Sequence, residues 1–289
     1  MKFFNALIGA TPRDLTTIAV ACEQAGFDGV ALSDHVVYPE DLQSDYPYTP
    51  DGKPMFSPDT DWPDPWVLVG ALGAVTTTLE FVTNVYVLPL RNPFVTAKAV
   101  GTAAYLTDNR VRLGIGAGWM REEFDLMGQP FEQRGARLDE TIDILRALWG
   151  GGMVEYHGKH FDFDRVEMRP APTEPVPVYV GGHSKVALRR AARNDGWIGV
   201  NYSVDELEAY CIELHKLREE LGTADRPYEI VASPLASPDA ETVVRLEDMG
   251  VTTLLTSAWM AAGHLEVSKE QAVDLIGSYG EKYIAPLRS

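Results

Sequence analysis

The chain has 289 residues, 45% hydrophobic and 23% charged, the composition of a globular protein long enough to bury a full core without disulfide or metal staples. Its 25 Lys and Arg against 42 Asp and Glu leave a net charge of −17. That balance lacks the basic face a nucleic-acid binder needs and opposes docking on an anionic membrane, so neither nucleic acid nor membrane is expected as a partner.

Hydrophobic period alternates between strand and helix along the chain. An apolar run at 2–8 predicts a first strand, followed by a helix from Asp14 to Ala25 that Gly26 ends. GVALSD (29–34) is the second strand, and a helix follows around Pro65–Val75. EFVTNVYVL (80–88) is the third, with Asn92-Pro93 opening a helix through Tyr105. VRLGIGAG (111–118) is the fourth, followed by a helix from about Glu132 to Trp149. PVYVGG (177–182) is the fifth, with Ser184 capping the next helix. WIGVN (197–201), YEIVAS (228–233) and TTLLTS (252–257) complete the set, with helices over Asp205–Leu221, Ala240–Met249 and Lys269–Ile284. Cys22 and Cys211 fall in helical stretches and read as small core residues. The start is too short and interrupted for a signal peptide, and no run reaches the roughly 18 apolar residues of a membrane span, so the chain reads as cytoplasmic.

Eight strand–helix units predict a parallel sheet of the α/β class: a (β/α)₈ TIM barrel filling one domain over 1–289, with a doubly wound open sheet as the alternative. Two segments interrupt the rhythm. The stretch 35–61, rich in Pro, Tyr and Phe, follows strand 2 and is expected as a long loop at the carboxyl end of the barrel, as a lid or substrate wall. The stretch 150–176 is expected to hold a small structural hairpin around His157-Gly158-Lys159, before strand 5.

Chemistry in such a barrel sits at the carboxyl ends of the strands. Strand 2 ends in Asp34-His35, an acid beside an imidazole that titrates near neutrality, suited to proton transfer. On strand 3, Asn84 can hydrogen-bond a flat heterocycle, and Arg91 reads either as an anion binder or as a surface residue in a turn. The glycines of Gly114–Gly118 allow close approach of a flat ligand. Gly181-Gly182-His183-Ser184 runs into a helix start, a good phosphate nest. Lys185, Arg189 and Arg193 share one face of that helix, with Arg190 beside them; the later arginines read as a solvated face. His157 and His160 have no third metal ligand at a known spacing, and no HExxH, Walker or GxSxG motif is present.

With GFDGVALSDHV (26–36), TNVYVLPLRNP (83–93), RVRLGIGAGW (110–119) and GGHSKVALRRAARNDGW (181–197), the chain resembles the bacterial luciferase-like flavin and deazaflavin oxidoreductases over nearly its whole length. The resemblance implies coenzyme F420 as cofactor, with FMN as the alternative, and hydride transfer to or from a small organic substrate. It implies that Asp34 and His35 face the reactive edge of the ring, with His35 moving a proton and Asp34 orienting it or binding the ring. It implies a cis peptide at Asn84-Val85 bulging against the ring, Gly116, Ala117 and Gly118 beside it, and Gly181, Gly182, His183 and Ser184 on the phosphate. In keeping with a phosphate there, SPLASP and SAWMAAGH, after strands 7 and 8, have no tight glycine nest. The sugar-phosphate dehydrogenases of the family carry a glutamate where this chain has Trp119, which argues against a sugar phosphate and, with Tyr46, Tyr48, Phe56, Trp62 and Trp66, for an aromatic-walled pocket. A homodimer, and a flavin or F420 reductase supplying reduced cofactor, are partners the family allows. An FMN-dependent two-component monooxygenase and a non-catalytic flavin- or deazaflavin-binding protein are the rival readings.

Overall fold

Three successive residues of the first strand, Phe3, Phe4 and Asn5, are buried, and a strand buried on both faces belongs in a parallel sheet covered by helices. The computed structural model describes residues 1–235 and 239–288; positions 236–238 of SPLASP lie outside the described residues. Its strands are β1 (Lys2–Ala6), β2 (Gly29–Leu32), β3 (Glu80–Thr83), β4 (Tyr86–Val87), β5 (Val111–Gly116), β6 (Val154–His157), β7 (Asp162–Val166), β8 (Val178–Gly181), β9 (Gly196–Tyr202), β10 (Glu229–Pro234) and β11 (Thr253–Thr256). Parallel pairing runs β1-β2-β3-β5-β8-β9-β10-β11 and returns to β1, so eight strands close a (β/α)₈ barrel with no open edge. The open-sheet alternative is thereby excluded.

The helices are α1 (Leu15–Gln24), α2 (Pro65–Gly73), α3 (Pro93–Leu106), α4 (Arg121–Leu126), α5 (Arg134–Trp149), α6 (Lys185–Arg193), α7 (Val204–Leu221), α8 (Ala240–Asp248), α9 (Ala258–Ala261), α10 (Lys269–Tyr279) and α11 (Ala285–Arg288). Leu15, Ile18, Ala19 and Cys22 of α1 are buried, one stripe at helical spacing laid on the barrel. Cys211 is buried in the same way on α7, and both thiols are free. Inside the barrel, Phe4, Val82, Tyr179, Ile198, Val231 and Leu255, each from a different strand, form the inner cluster, with Ala6, Val85 and Val200 packed on it. No described helix is long and apolar enough to cross a membrane.

Four elements differ from expectation. The third strand is not continuous over 80–88: it breaks at a cis Asn84-Val85 peptide and resumes as β4, which still pairs with β5. The helix expected from Glu132 starts at Arg134, after a turn of 3-10 helix at Phe131–Gln133. The short helices α4 and α9 were not expected, because four to six residues are too few to show a period. The hairpin forms as expected, with β6 antiparallel to β7, and it packs Phe163 on Phe94 of α3. Its His157 faces Asp162 at 2.6 Å, and Glu140 accepts the His160 amide.

At the opposite end of the barrel from the loop 35–61, Glu23 of α1 accepts the amides of Thr77, Thr78 and Leu79, which lead into β3. Burial opposes the charge, but these donors hold the carboxyl below its ordinary value of 4.5. A depressed folded-state value means that the stabilisation is present above about pH 4.5 and is lost as pH falls through the folded-state pKa. Glu23→Gln should lower stability by about 1–3 kcal/mol at pH 7, and the gap to wild type should close in acid, as read by urea unfolding across pH.

Candidate active site

The carboxyl end of the barrel brings together residues from five segments. His35 follows β2, and its side chain is only 10% exposed. Its Nδ1 lies 3.1 Å from Oε2 of Glu123, a buried carboxylate on α4. The other oxygen of Glu123 accepts the Val36 amide at 2.7 Å and, more weakly, that of Val37. Glu123 therefore sets the position of the imidazole and of the chain just beyond it.

Asp34 does something else. Arg91 donates to both of its oxygens at 2.6 Å, and the Val87 amide donates at 3.0 Å. Burial pushes the Asp34 carboxyl up, and the guanidinium beside it pulls the other way. The expectation that Asp34 orients His35 is corrected: the Asp34 carboxylate is taken up by Arg91 and the Val87 amide, while His35 meets Glu123. Arg91 is corrected as well, being neither a surface residue nor a free anion binder. Its side chain is 14% exposed, locked to Asp34 and stacked 4.2 Å from the Tyr86 ring.

Val85 occupies space that two glycines leave open. A Cβ on Gly116 would come within 2.6 Å of Val85 Cγ2, and one on Gly181 within 2.8 Å of Val85 Cγ1. Val85 thus sits between two backbone stretches that carry no side chain, packed on the inner cluster of the barrel. Asn84 beside it donates its backbone N–H to Leu32 O, and its half-buried side-chain amide has no hydrogen-bond partner among the described residues. Ala117 is half-buried against the core, and Gly118 O accepts from Arg134 Nε.

After β8, Gly182 adopts φ +100° and turns the chain into α6, whose N-cap is Ser184. Ser184 Oγ accepts the Ala187 amide, leaving its own O–H free to donate. The other first-turn amides of α6 have no intrahelical partner. His183 Nδ1 lies 2.8 Å from the Tyr202 hydroxyl. The arginines beyond bind protein: Arg190 pairs with Asp139, Arg193 approaches Asp139 and Arg189 approaches Glu220. They tie α6 to α5 and α7.

The segment 35–61 folds over this rim. Glu122 accepts the amides of Gln43 and Ser44 and the Ser44 hydroxyl, so α4 holds the segment at two points. Phe56 lies 5.0 Å from the His35 ring, Trp62 5.1 Å and Trp119 5.9 Å, with Tyr46 meeting Trp119 at 5.1 Å. Tyr48 reaches across to His183. Burial pushes the phenols of Tyr46 and Tyr48 up to about 12, so both stay neutral donors at physiological pH. Trp66 instead packs on Tyr86 below the rim. On the far side, a cavity of about 320 Å³ opens between the ends of β9, β10 and β11, lined by Asn201, Ser233, Thr256 and Ser257 among others.

Glu123 is the residue that sequence reasoning missed. Its signal was a carboxylate set between buried Met120 and Phe124, at a position where a surface helix carries apolar groups.

A profile of luciferase-like monooxygenases matches residues 4–273. A Mycobacterium tuberculosis protein described as uncharacterized is 44% identical over 238 residues, 82% of each chain. The F420-dependent glucose-6-phosphate dehydrogenase of Segniliparus rotundus is 32% identical over 233 residues, covering 77% of this chain and 65% of that one. An F420-dependent secondary alcohol dehydrogenase, solved with an F420-acetone adduct, shares the fold with a TM-score of 0.74 over 98% of both chains at 17% identity.

Proposed function

The chain belongs to the luciferase-like monooxygenase family, and from that premise we propose that it is an F420-dependent oxidoreductase moving a hydride between the deazaflavin and a small organic substrate. The observation that carries the reading is the His35–Glu123 pair on a rim where Val85 sits between Gly116 and Gly181. A buried carboxylate at Nδ1 leaves Nε2 as the nitrogen that exchanges a proton with a reactant.

The residues present fit a flat ring with a phosphate tail. Val85, with the side-chain-free Gly116 and Gly181 beside it, offers an apolar contact for a ring, and the amides behind Gly182 offer an anion the N-terminal end of a nine-residue helix. Val85, Gly116, Ala117 and Gly118 would hold the ring, Asn84 would hydrogen-bond its edge, and Gly181, Gly182, His183 and Ser184 would hold the phosphate. Bound there, a deazaflavin supplies two-electron hydride chemistry, and the protein supplies orientation and the proton. Asp34 contributes through Arg91 and the Val87 amide, which hold β4 against the rim.

FMN is the second reading, with a reductase partner to supply reduced flavin, and the name of the matched family favours it. Titration of the purified protein with F420 and with FMN, followed by fluorescence quenching, separates the two. F420 binding well ahead of FMN is the expected result; FMN binding alone would shift the reading to a monooxygenase, and binding of neither would overturn it. Gly182→Val should weaken the phosphate-bearing cofactor by about 5–150-fold, since a branched residue resists φ +100° and blocks close approach. Binding of riboflavin, which has no phosphate, should change far less.

A further inference from the structure

We propose that the cavity between the ends of β9, β10 and β11 is a binding subsite for a neutral group carrying adjacent hydroxyls, with Asn201 as its main contact. That this group belongs to the substrate rests on the oxidoreductase reading; the site itself does not. The first support is how the cavity forms. The β10–β11 ladder stops at the Ala232–Leu254 pair, whereas β9 stays paired with β10 as far as Pro234, and β1 with β11 as far as Thr256. The wall therefore parts at its carboxyl end, where sites form in this architecture, and the cavity of about 320 Å³ stands in the gap. In the closed strand order this arc of the rim runs from β8, which leads into the Gly181–Ser184 nest, to β1, the neighbour of the strand before His35.

The second support is a bulge. Ser233 pairs with Val200 and Pro234 with Tyr202, so Asn201 is an extra residue on β9. It takes φ +62°, a left-handed conformation that few residues other than glycine adopt. Bulges and such backbone outliers gather at functional sites, where they re-aim a side chain, and Asn201 lines the cavity.

The third support is the chemistry of the lining. No described lining residue is charged, so a phosphate or carboxylate would be buried without a counter-charge. The Asn201 carboxamide and the Ser233 hydroxyl have no hydrogen-bond partner among the described residues. Ser257 Oγ accepts the Met260 amide and keeps its O–H to donate. A carboxamide presents a donor and an acceptor side by side, which two neighbouring hydroxyls match. Leu235 and Met260, both exposed, offer apolar cover to the C–H edges of such a group.

The test is titration of isotope-labelled protein with myo-inositol, its monophosphate and cyclohexanol, with and without the cofactor the protein binds. The side-chain amide resonance of Asn201 is followed by NMR. The three compounds share a six-membered carbon ring and differ in hydroxyls and charge. Myo-inositol should shift the Asn201 resonance and bind about ten-fold tighter than cyclohexanol, and the monophosphate should bind worst. Asn201→Gly suits the left-handed backbone and removes the carboxamide. It should weaken myo-inositol about three- to ten-fold, read from the ligand signals, and leave cyclohexanol unchanged. Ser233→Ala should weaken myo-inositol in the same direction. The monophosphate or cyclohexanol binding as tightly as myo-inositol, unchanged myo-inositol affinity in both variants, or no myo-inositol binding under either condition would overturn the proposal. Failure of both F420 and FMN to bind, with myo-inositol binding intact, would instead remove the oxidoreductase reading and leave the subsite standing.

Discussion

His35→Ala is expected to lower turnover by about 10²–10⁴-fold, the usual worth of a positioned general acid or base. Cofactor affinity should change little, because the Gly181–Ser184 nest stands elsewhere on the rim. Glu123→Gln keeps a side chain of the same length but removes the charge that faces Nδ1, so it should fall between wild type and His35→Ala in kcat. Glu123→Ala should do more: it also releases the Val36 and Val37 amides, loosening the start of the 35–61 segment and raising KM. The measurement is the rate of reduction or reoxidation of bound cofactor after rapid mixing with substrate. An unchanged rate in His35→Ala would take His35 out of the chemistry and leave it as packing beneath Phe56 and Trp62.

The second large effect is on stability. Arg91→Leu should cost about 3–5 kcal/mol, because it strands the buried Asp34 carboxylate with only the Val87 amide as a partner. Arg91→Lys should recover only part of that loss, since an ammonium cannot make the two parallel bonds to both oxygens. Removing both charges, as in Asp34→Asn with Arg91→Leu, should recover more than Arg91→Lys does, since the main penalty is the unpaired charge. Urea unfolding at pH 7 reads all three. If Arg91→Leu unfolds like wild type, the ion pair is not what holds β4 to the strand-2 tip.

Local pattern was enough for the barrel. Each barrel strand is a short run buried on both faces, and glycines or caps mark the boundaries, so the eight barrel strands and their principal helices could be read in order from neighbours a few residues apart, whereas the break in the third strand and the short α4 and α9 could not. The glycines were legible for the same reason: Gly116, Gly181 and Gly182 stand at strand ends, where a side chain would obstruct. His35 could be found because a strand tip in such a barrel points at the site. Its partner could not. Asp34 is adjacent in sequence, yet its carboxylate is taken up by Arg91, and the residue that reaches His35 lies 88 positions away on a helix too short to show a period. Arg91, 57 positions from Asp34, was equally invisible. Periodicity tells which face of an element a residue occupies; closure of the barrel decides what stands opposite that face. The aromatic residues of 35–61, with Trp62 just beyond, show the same division, since composition marked them as a wall, but only the tertiary structure, with Glu122 and Glu123 gripping that segment, shows Phe56 and Trp62 against His35.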